Sequence, residues 1–159
     1  IDCEQTISQP YTVAFQTQLL QVKPKDKVLE IGLGSGYQAC VLSEMGARVY
    51  SIERHKLLHD KTSKRLRKMG YIGIRTYYGD GFLGLPTLAP FDKILITASI
   101  DKIPAELVHQ LKPGGIMVLP IGSTEGSQIM TEVRKSENGA ISTFEHGYFR
   151  FVPMLEGKV

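Results

Sequence analysis

Cysteine is scarce, apolar runs are short, and neither sign of charge dominates. The two cysteines, Cys3 and Cys40, are far apart and stand in no metal-like spacing. A disulfide framework and a zinc module are thereby excluded, no metal site is expected, and a reducing, cytoplasmic setting fits. Cys40 lies in an apolar helical stretch and reads as a buried free thiol. No apolar run approaches membrane-spanning length, and no secretory leader pattern is visible. The formal net charge is only +3, from 19 basic and 16 acidic side chains. That balance is too mild to argue for nucleic acid or anionic membranes, and neither is expected as a partner. The densest basic stretch, Lys61–Lys68, shares a helical pattern with Leu58 and Leu66 and reads as a solvated outer face. With 159 residues, 42% hydrophobic and 22% charged, the chain fits one globular domain spanning 1–159. A monomer is favoured over an oligomer.

What is abundant is glycine, and its placement organises the rest. Lys27–Ile31 reads as a buried parallel strand. Gly32, Gly34 and Gly36 follow at intervals of two, and a helical pattern starts at Tyr37. Strand, glycine loop and helix begin a nucleotide-binding βαβ unit. Its glycines let the backbone turn sharply and approach a ligand, toward which the helix start presents free N–H groups. Dinucleotide sites favour G-x-G-x-x-G. Here the third glycine comes one residue early and Glu30 precedes the first by two. This E-x-G-x-G-x-G form resembles motif I of the S-adenosylmethionine-dependent methyltransferases.

Elsewhere the pattern alternates. A helix is expected over Tyr11–Gln21, with Pro10 in its first turn and Ser8 or Gln9 at its cap. Further strands are expected at Arg48–Glu53, Ile74–Tyr78, Phe91–Thr97 and Ile116–Pro120. Helices are expected at Tyr37–Met45, at Lys56–Met69, and from Pro104 to Leu111, where Lys112-Pro113-Gly114-Gly115 ends the last. Such alternation predicts a doubly wound, mostly parallel α/β sheet with helices on both faces. The tail changes character. Gln128–Lys135 and Ile141–Tyr148 flank Glu137-Asn138-Gly139, a hairpin signal that also contains a deamidation-prone Asn-Gly pair.

Ligands of doubly wound folds bind beyond the carboxyl ends of the strands. Glu53 ends the second strand, 53 − 36 = 17 residues past the last loop glycine. A carboxylate there can accept both ribose hydroxyls and would repel a 2′-phosphate. Asp80, between Gly79 and Gly81, can take an adenine amino group, with the Gly81 N–H near the ring. Glu30, Glu53 and Asp80 together suit a cationic ligand better than a pyrophosphate. A hydride-transferring dehydrogenase therefore fits worst.

Several stretches then occur together: Thr6-Ile7-Ser8-Gln9-Pro10, Val28–Tyr37, Ile52-Glu53-Arg54, Gly79-Asp80-Gly81, Ala89-Pro90-Phe91-Asp92, Leu111–Gly115 and Phe151-Val152-Pro153-Met154. In this set, from Gln5 to Met154, the chain resembles the protein-L-isoaspartate O-methyltransferases. The Thr-Ile-Ser-x-Pro and Val-Pro-Met stretches are the family-specific ones. The resemblance implies a Rossmann-like class I methyltransferase sheet with an antiparallel C-terminal hairpin. It implies S-adenosyl-L-methionine as cofactor, S-adenosyl-L-homocysteine as product, and isoaspartyl proteins and peptides as partners. Carried over, Ser8 takes the active-site role, and Thr6 and Ile7 join it in the cofactor pocket. Glu30 with Gly32, Gly34 and Gly36 holds the methionine part, Glu53 the ribose, and Asp80 with Gly81 the adenine. Val152 and Pro153 match the segment near the substrate peptide.

A substrate carboxylate is already ionised at neutral pH and needs no general base. His55, His59, His109 and His146 lie outside these motifs and read as structural or surface residues. Catalysis is then expected to be positioning, with the Ser8 hydroxyl donating a hydrogen bond to the substrate carboxylate. Two other readings compete: a class I methyltransferase acting on a small molecule or RNA, and a non-catalytic adenosine-binding domain. Neither requires the Thr-Ile-Ser-x-Pro and Val-Pro-Met stretches. The family normally carries a helical segment before Thr-Ile-Ser, and Asp2-Cys3-Glu4 stands where small residues are usual. Reduced activity is the expectation that follows from that difference.

Overall fold

A computed structural model describes residues 1–159. Seven strands form one sheet in the order β3-β2-β1-β4-β5-β6-β7. β1 (Lys27–Ile31), β2 (Arg48–Glu53), β3 (Arg75–Tyr78), β4 (Phe91–Ile96) and the start of β5 (Leu111–Ile121) run parallel. β6 (Gln128–Lys135) and β7 (Ile141–Phe149) return antiparallel, so β5, β6 and β7 form a meander with β7 at the edge. The helices are α1 (Pro10–Leu20), α2 (Tyr37–Glu44), α3 (Lys56–Lys68) and α4 (Ala105–Gln110). None of them is long and apolar enough to cross a membrane.

The period of two along the central strands builds two cores. Leu29, Ile31, Ile94 and Ile96 face one side with Phe91, Leu107 and Met117. Val28 and Leu95 face the other, with Leu20 from α1, Leu42 from α2 and Leu66 from α3. Burying both faces explains why apolar residues stand at successive positions in Val28-Leu29 of β1 and Ile94-Leu95-Ile96 of β4. Glu30 and Ser51 fall on the second face and are wholly buried, at 0% exposure.

The observed elements differ from expectation in three places. β5 begins at Leu111, not Ile116, because Leu111 already pairs with Phe91. The Lys112–Gly115 stretch is then absorbed as a register shift between Phe91 and Lys93, leaving α4 short. Two 3₁₀ turns, Gly81–Leu83 and Pro86–Leu88, occupy the connection into β4. Cys40 is free as expected but only half-buried.

Candidate functional site

The carboxyl ends of β1, β2 and β4 open into a cleft of about 890 Å³, its open mouth included. The glycine loop forms its floor. Gly32 adopts φ +98°, and a Cβ there would stand 2.5 Å from the Thr97 hydroxyl. That hydroxyl lies 2.9 Å from the Ile31 carbonyl and 3.0 Å from that of Gly32, to which it donates. The close approach of loop and β4 therefore requires glycine.

Glu53 braces the same loop. Its Oε2 accepts from the Gly34 N–H at 3.0 Å and its Oε1 from the His55 N–H at 3.0 Å. Each carboxylate oxygen keeps acceptor capacity for a further donor. Glu30 lines the cleft from β1. Its Oε2 accepts from the Ser51 hydroxyl, while its buried Oε1 has no partner. Burial pushes the Glu30 carboxyl up to about 8; the Ser51 hydrogen bond opposes this and the Glu53 charge adds to it. The group expected to act as an anion is therefore mostly a neutral carboxyl at pH 7.

Thr6, Ile7 and Ser8 form the opposite wall, ahead of α1. The N-cap of α1 is Gln9, without a side-chain capping bond, and the Ser8 hydroxyl makes no hydrogen bond within the chain. The cap role open to Ser8 in the sequence is thus not taken. After β7 the chain crosses the top of the sheet. Ser99 N–H donates to the Val152 carbonyl at 2.8 Å, and the Met154 N–H donates to the Ser99 carbonyl at 2.8 Å. This pairing puts Val152 and Pro153 on the cleft with Met154 and Leu155.

Of the sequence-derived residues, Thr6, Ile7, Ser8, Glu30, Gly32, Gly34, Glu53, Gly81, Val152 and Pro153 line one cleft. Gly36 and Asp80 do not line it. Gly36 caps α2 at φ +81°, where a Cβ would meet Thr62 at 3.0 Å and Leu66 at 3.1 Å, so it serves helix packing. Asp80 is occupied on both oxygens, by the Phe82 N–H at 2.9 Å and the Gly157 N–H at 2.7 Å. Arg54 holds the same tail through the carbonyls of Glu156 and Gly157. Sequence reasoning missed Gln5, Tyr37, Gln38 and His55 on the cleft wall. His55, outside the motifs and expected to be a structural or surface residue, stands on the cleft wall because it lies two residues past Glu53 at the strand end. A second groove continues from Thr6–Ser8 and Val152 past Tyr11, Tyr148 and Arg150, which are exposed.

The residues present fit a cosubstrate with an adenosine part and a cationic part. A glycine floor admits close approach, Glu53 keeps free acceptor positions, and the unpartnered Glu30 oxygen can accept from a cation that displaces its proton.

The family model for protein-L-isoaspartate (D-aspartate) O-methyltransferase matches residues 1–159. A protein-L-isoaspartate O-methyltransferase of Flavobacterium psychrophilum is 54% identical over 158 residues, covering 99% of this chain and 73% of that protein. One from Salinibacter ruber is 50% identical, covering 98% of this chain and 71% of its own length. A solved protein-L-isoaspartate O-methyltransferase superposes with a TM-score of 0.87 at 27% identity, over 96% of this chain and 50% of that one. A Plasmodium falciparum beta-aspartate methyltransferase (PCMT) in complex with S-adenosyl-L-homocysteine shares the fold, with a TM-score of 0.85 at 22% identity, over 98% and 78% of the two chains.

Proposed function

Because this chain belongs to the protein-L-isoaspartate (D-aspartate) O-methyltransferase family, we propose that its cleft binds S-adenosylmethionine and aligns the free α-carboxylate of an L-isoaspartyl residue against it. The protein is an S-adenosylmethionine-dependent carboxyl methyltransferase of protein repair. The observation that carries the site assignment is the Ser8 hydroxyl. It is unpartnered within the chain and shares one cleft with the glycine loop and Val152-Pro153.

S-adenosylmethionine, when bound, supplies an electrophilic methyl group. The chain's own residues then have little chemistry to perform. The nucleophile is a carboxylate, ionised at neutral pH, so no side chain has to remove a proton. Ser8 donates its O–H to that carboxylate and fixes which oxygen faces the methyl donor. Glu53 receives the ribose hydroxyls while its backbone tethers hold the loop in place. Gly32 and Gly34 admit the methionine part, and the unpaired Glu30 oxygen accepts from its ammonium. Asp80 and Gly81 meet the adenine, with Asp80 also accepting from the Phe82 and Gly157 N–H groups and so fixing the turn and the tail beside it. Thr6, Ile7, Val152 and Pro153 close over the reacting atoms and exclude water, which strengthens the attraction between carboxylate and sulfonium. The groove past Tyr11 and Tyr148 accommodates the flanking peptide.

Two synthetic peptides that differ only in carrying L-isoaspartate or L-aspartate test the reading. Label from S-adenosylmethionine should enter the isoaspartyl peptide alone and be released by mild base as expected for an ester. Equal labelling of both, or base-stable label, would overturn it.

A further inference from the structure

We propose that Asn138 is a deamidation site at which one copy of this protein becomes a repair substrate for another; the repair half rests on the function proposed above. Asn138 is the only asparagine in the sequence, and glycine follows it. The pair sits at the tip of the β6–β7 hairpin, on the edge of the sheet, and both residues are exposed. A Cβ built on Gly139 would meet nothing within 4 Å, so its surroundings are open, and glycine itself carries no side chain to hinder its nitrogen's approach to the Asn138 side chain.

The local hydrogen bonds favour attack at the side-chain carbonyl. Asn138 Oδ1 accepts from the Ala140 N–H at 3.1 Å and from the Ser136 hydroxyl. Two donors on that oxygen polarise Cγ and stabilise the negative charge that forms when Gly139 N adds to it. The restraint is the Gly139 N–H bond to the Ser136 carbonyl at 2.9 Å, within a turn at a strand end that opens locally at low cost. On opening, Gly139 N bonds to Cγ, the Cγ–Nδ2 bond breaks, and ammonia leaves with the amide proton. Water then opens the succinimide at either carbonyl. Opening at the α-carbonyl leaves an isoaspartyl residue with a free α-carboxylate. No oxidant or reductant enters.

The other candidate pair, Asp80-Gly81, is protected. Both Asp80 oxygens are hydrogen-bonded, and a Cβ on buried Gly81 would stand 2.4 Å from Ile31.

Repair must occur between molecules. β6 starts at Gln128, beside the cleft end of the sheet, and its eight residues carry the hairpin tip roughly 25 Å away, to the opposite end. Asn138 cannot reach its own cleft.

The test starts from two pools of the intact protein, one fresh and one held in warm, mildly alkaline buffer. Peptide mapping that resolves isoaspartate should find it at 138 in the aged pool. Fresh protein and labelled S-adenosylmethionine should then place a base-labile methyl ester on that peptide, at a rate first order in fresh and in aged protein. Asn138→Ser protein, aged alike, should lose this label while still methylating an isoaspartyl peptide. Intact asparagine at 138 after ageing would overturn the inference. So would an isoaspartyl 138 left unlabelled by fresh protein that labels the synthetic peptide, or a rate independent of aged-protein concentration. Fresh protein that labels no isoaspartyl peptide would refute the proposed function and with it the repair half, whereas the mapping would still decide the deamidation half.

Discussion

Two side chains in the cleft perform opposite tasks with one hydroxyl and one carboxyl. Ser8 offers a donor with no internal partner, so its loss leaves the fold unchanged. Ser8→Ala should lower kcat about tenfold to a hundredfold, as expected for one hydrogen bond to a charged group, with S-adenosylmethionine affinity unchanged. Steady-state kinetics beside a cofactor titration measure both. Glu30 is the reverse case, a group whose burial is costly when charged. Its carboxyl stands at about 8 in the folded chain against 4.5 for the free group. Between those values the unfolded chain is ionised while the folded one holds its proton, so stability falls with rising pH, by about 1.4 kcal/mol per unit. Below 4.5 and above about 8 the slope vanishes. Glu30→Gln should remove this slope, and thermal unfolding across that pH range should show the variant gaining on the parent as pH rises. Binding of a cationic cosubstrate should also expel the Glu30 proton, read as a binding heat that depends on the buffer's own protonation heat.

The elements explain what could and could not be read beforehand. β1, β2 and the glycine loop were legible because their patterns are local: short, mostly apolar runs, then glycines at fixed spacing. The start of β5 was not, since Lys112-Pro113-Gly114-Gly115 looks like a helix stop, and only the pairing of Leu111 with Phe91 makes it a strand. Around Asp80, expected at the adenine, nothing local signals the backbone N–H that arrives from Gly157, 77 residues on. Gly36, expected in the cofactor loop, also packs against Thr62 and Leu66 of α3, a contact no local pattern reveals. Gly36→Ala should therefore cost about 1–3 kcal/mol of stability, from the positive φ and the crowding against Thr62 and Leu66. Chemical denaturation measures that loss, and cosubstrate affinity of the folded fraction should stay near that of the parent.

At the scale of the whole molecule, protection should grade across the sheet. β1 and β4 are central and covered on both faces, whereas β7 is an edge strand whose residues are mostly exposed. Amide exchange should accordingly be slowest in Leu29, Ile94 and Leu95 and fastest in β7, with the hairpin tip leading. The sheet order has a consequence for biosynthesis. Thr6–Ser8 and the glycine loop leave the ribosome early, but the wall they face is Val152–Leu155, docked on Ser99. A nascent chain carrying β1 to β5 has the floor of the cleft without its far side. Cosubstrate can therefore lend its full stability only once Met154 has emerged, and until then the parallel half of the sheet rests mainly on its own packing.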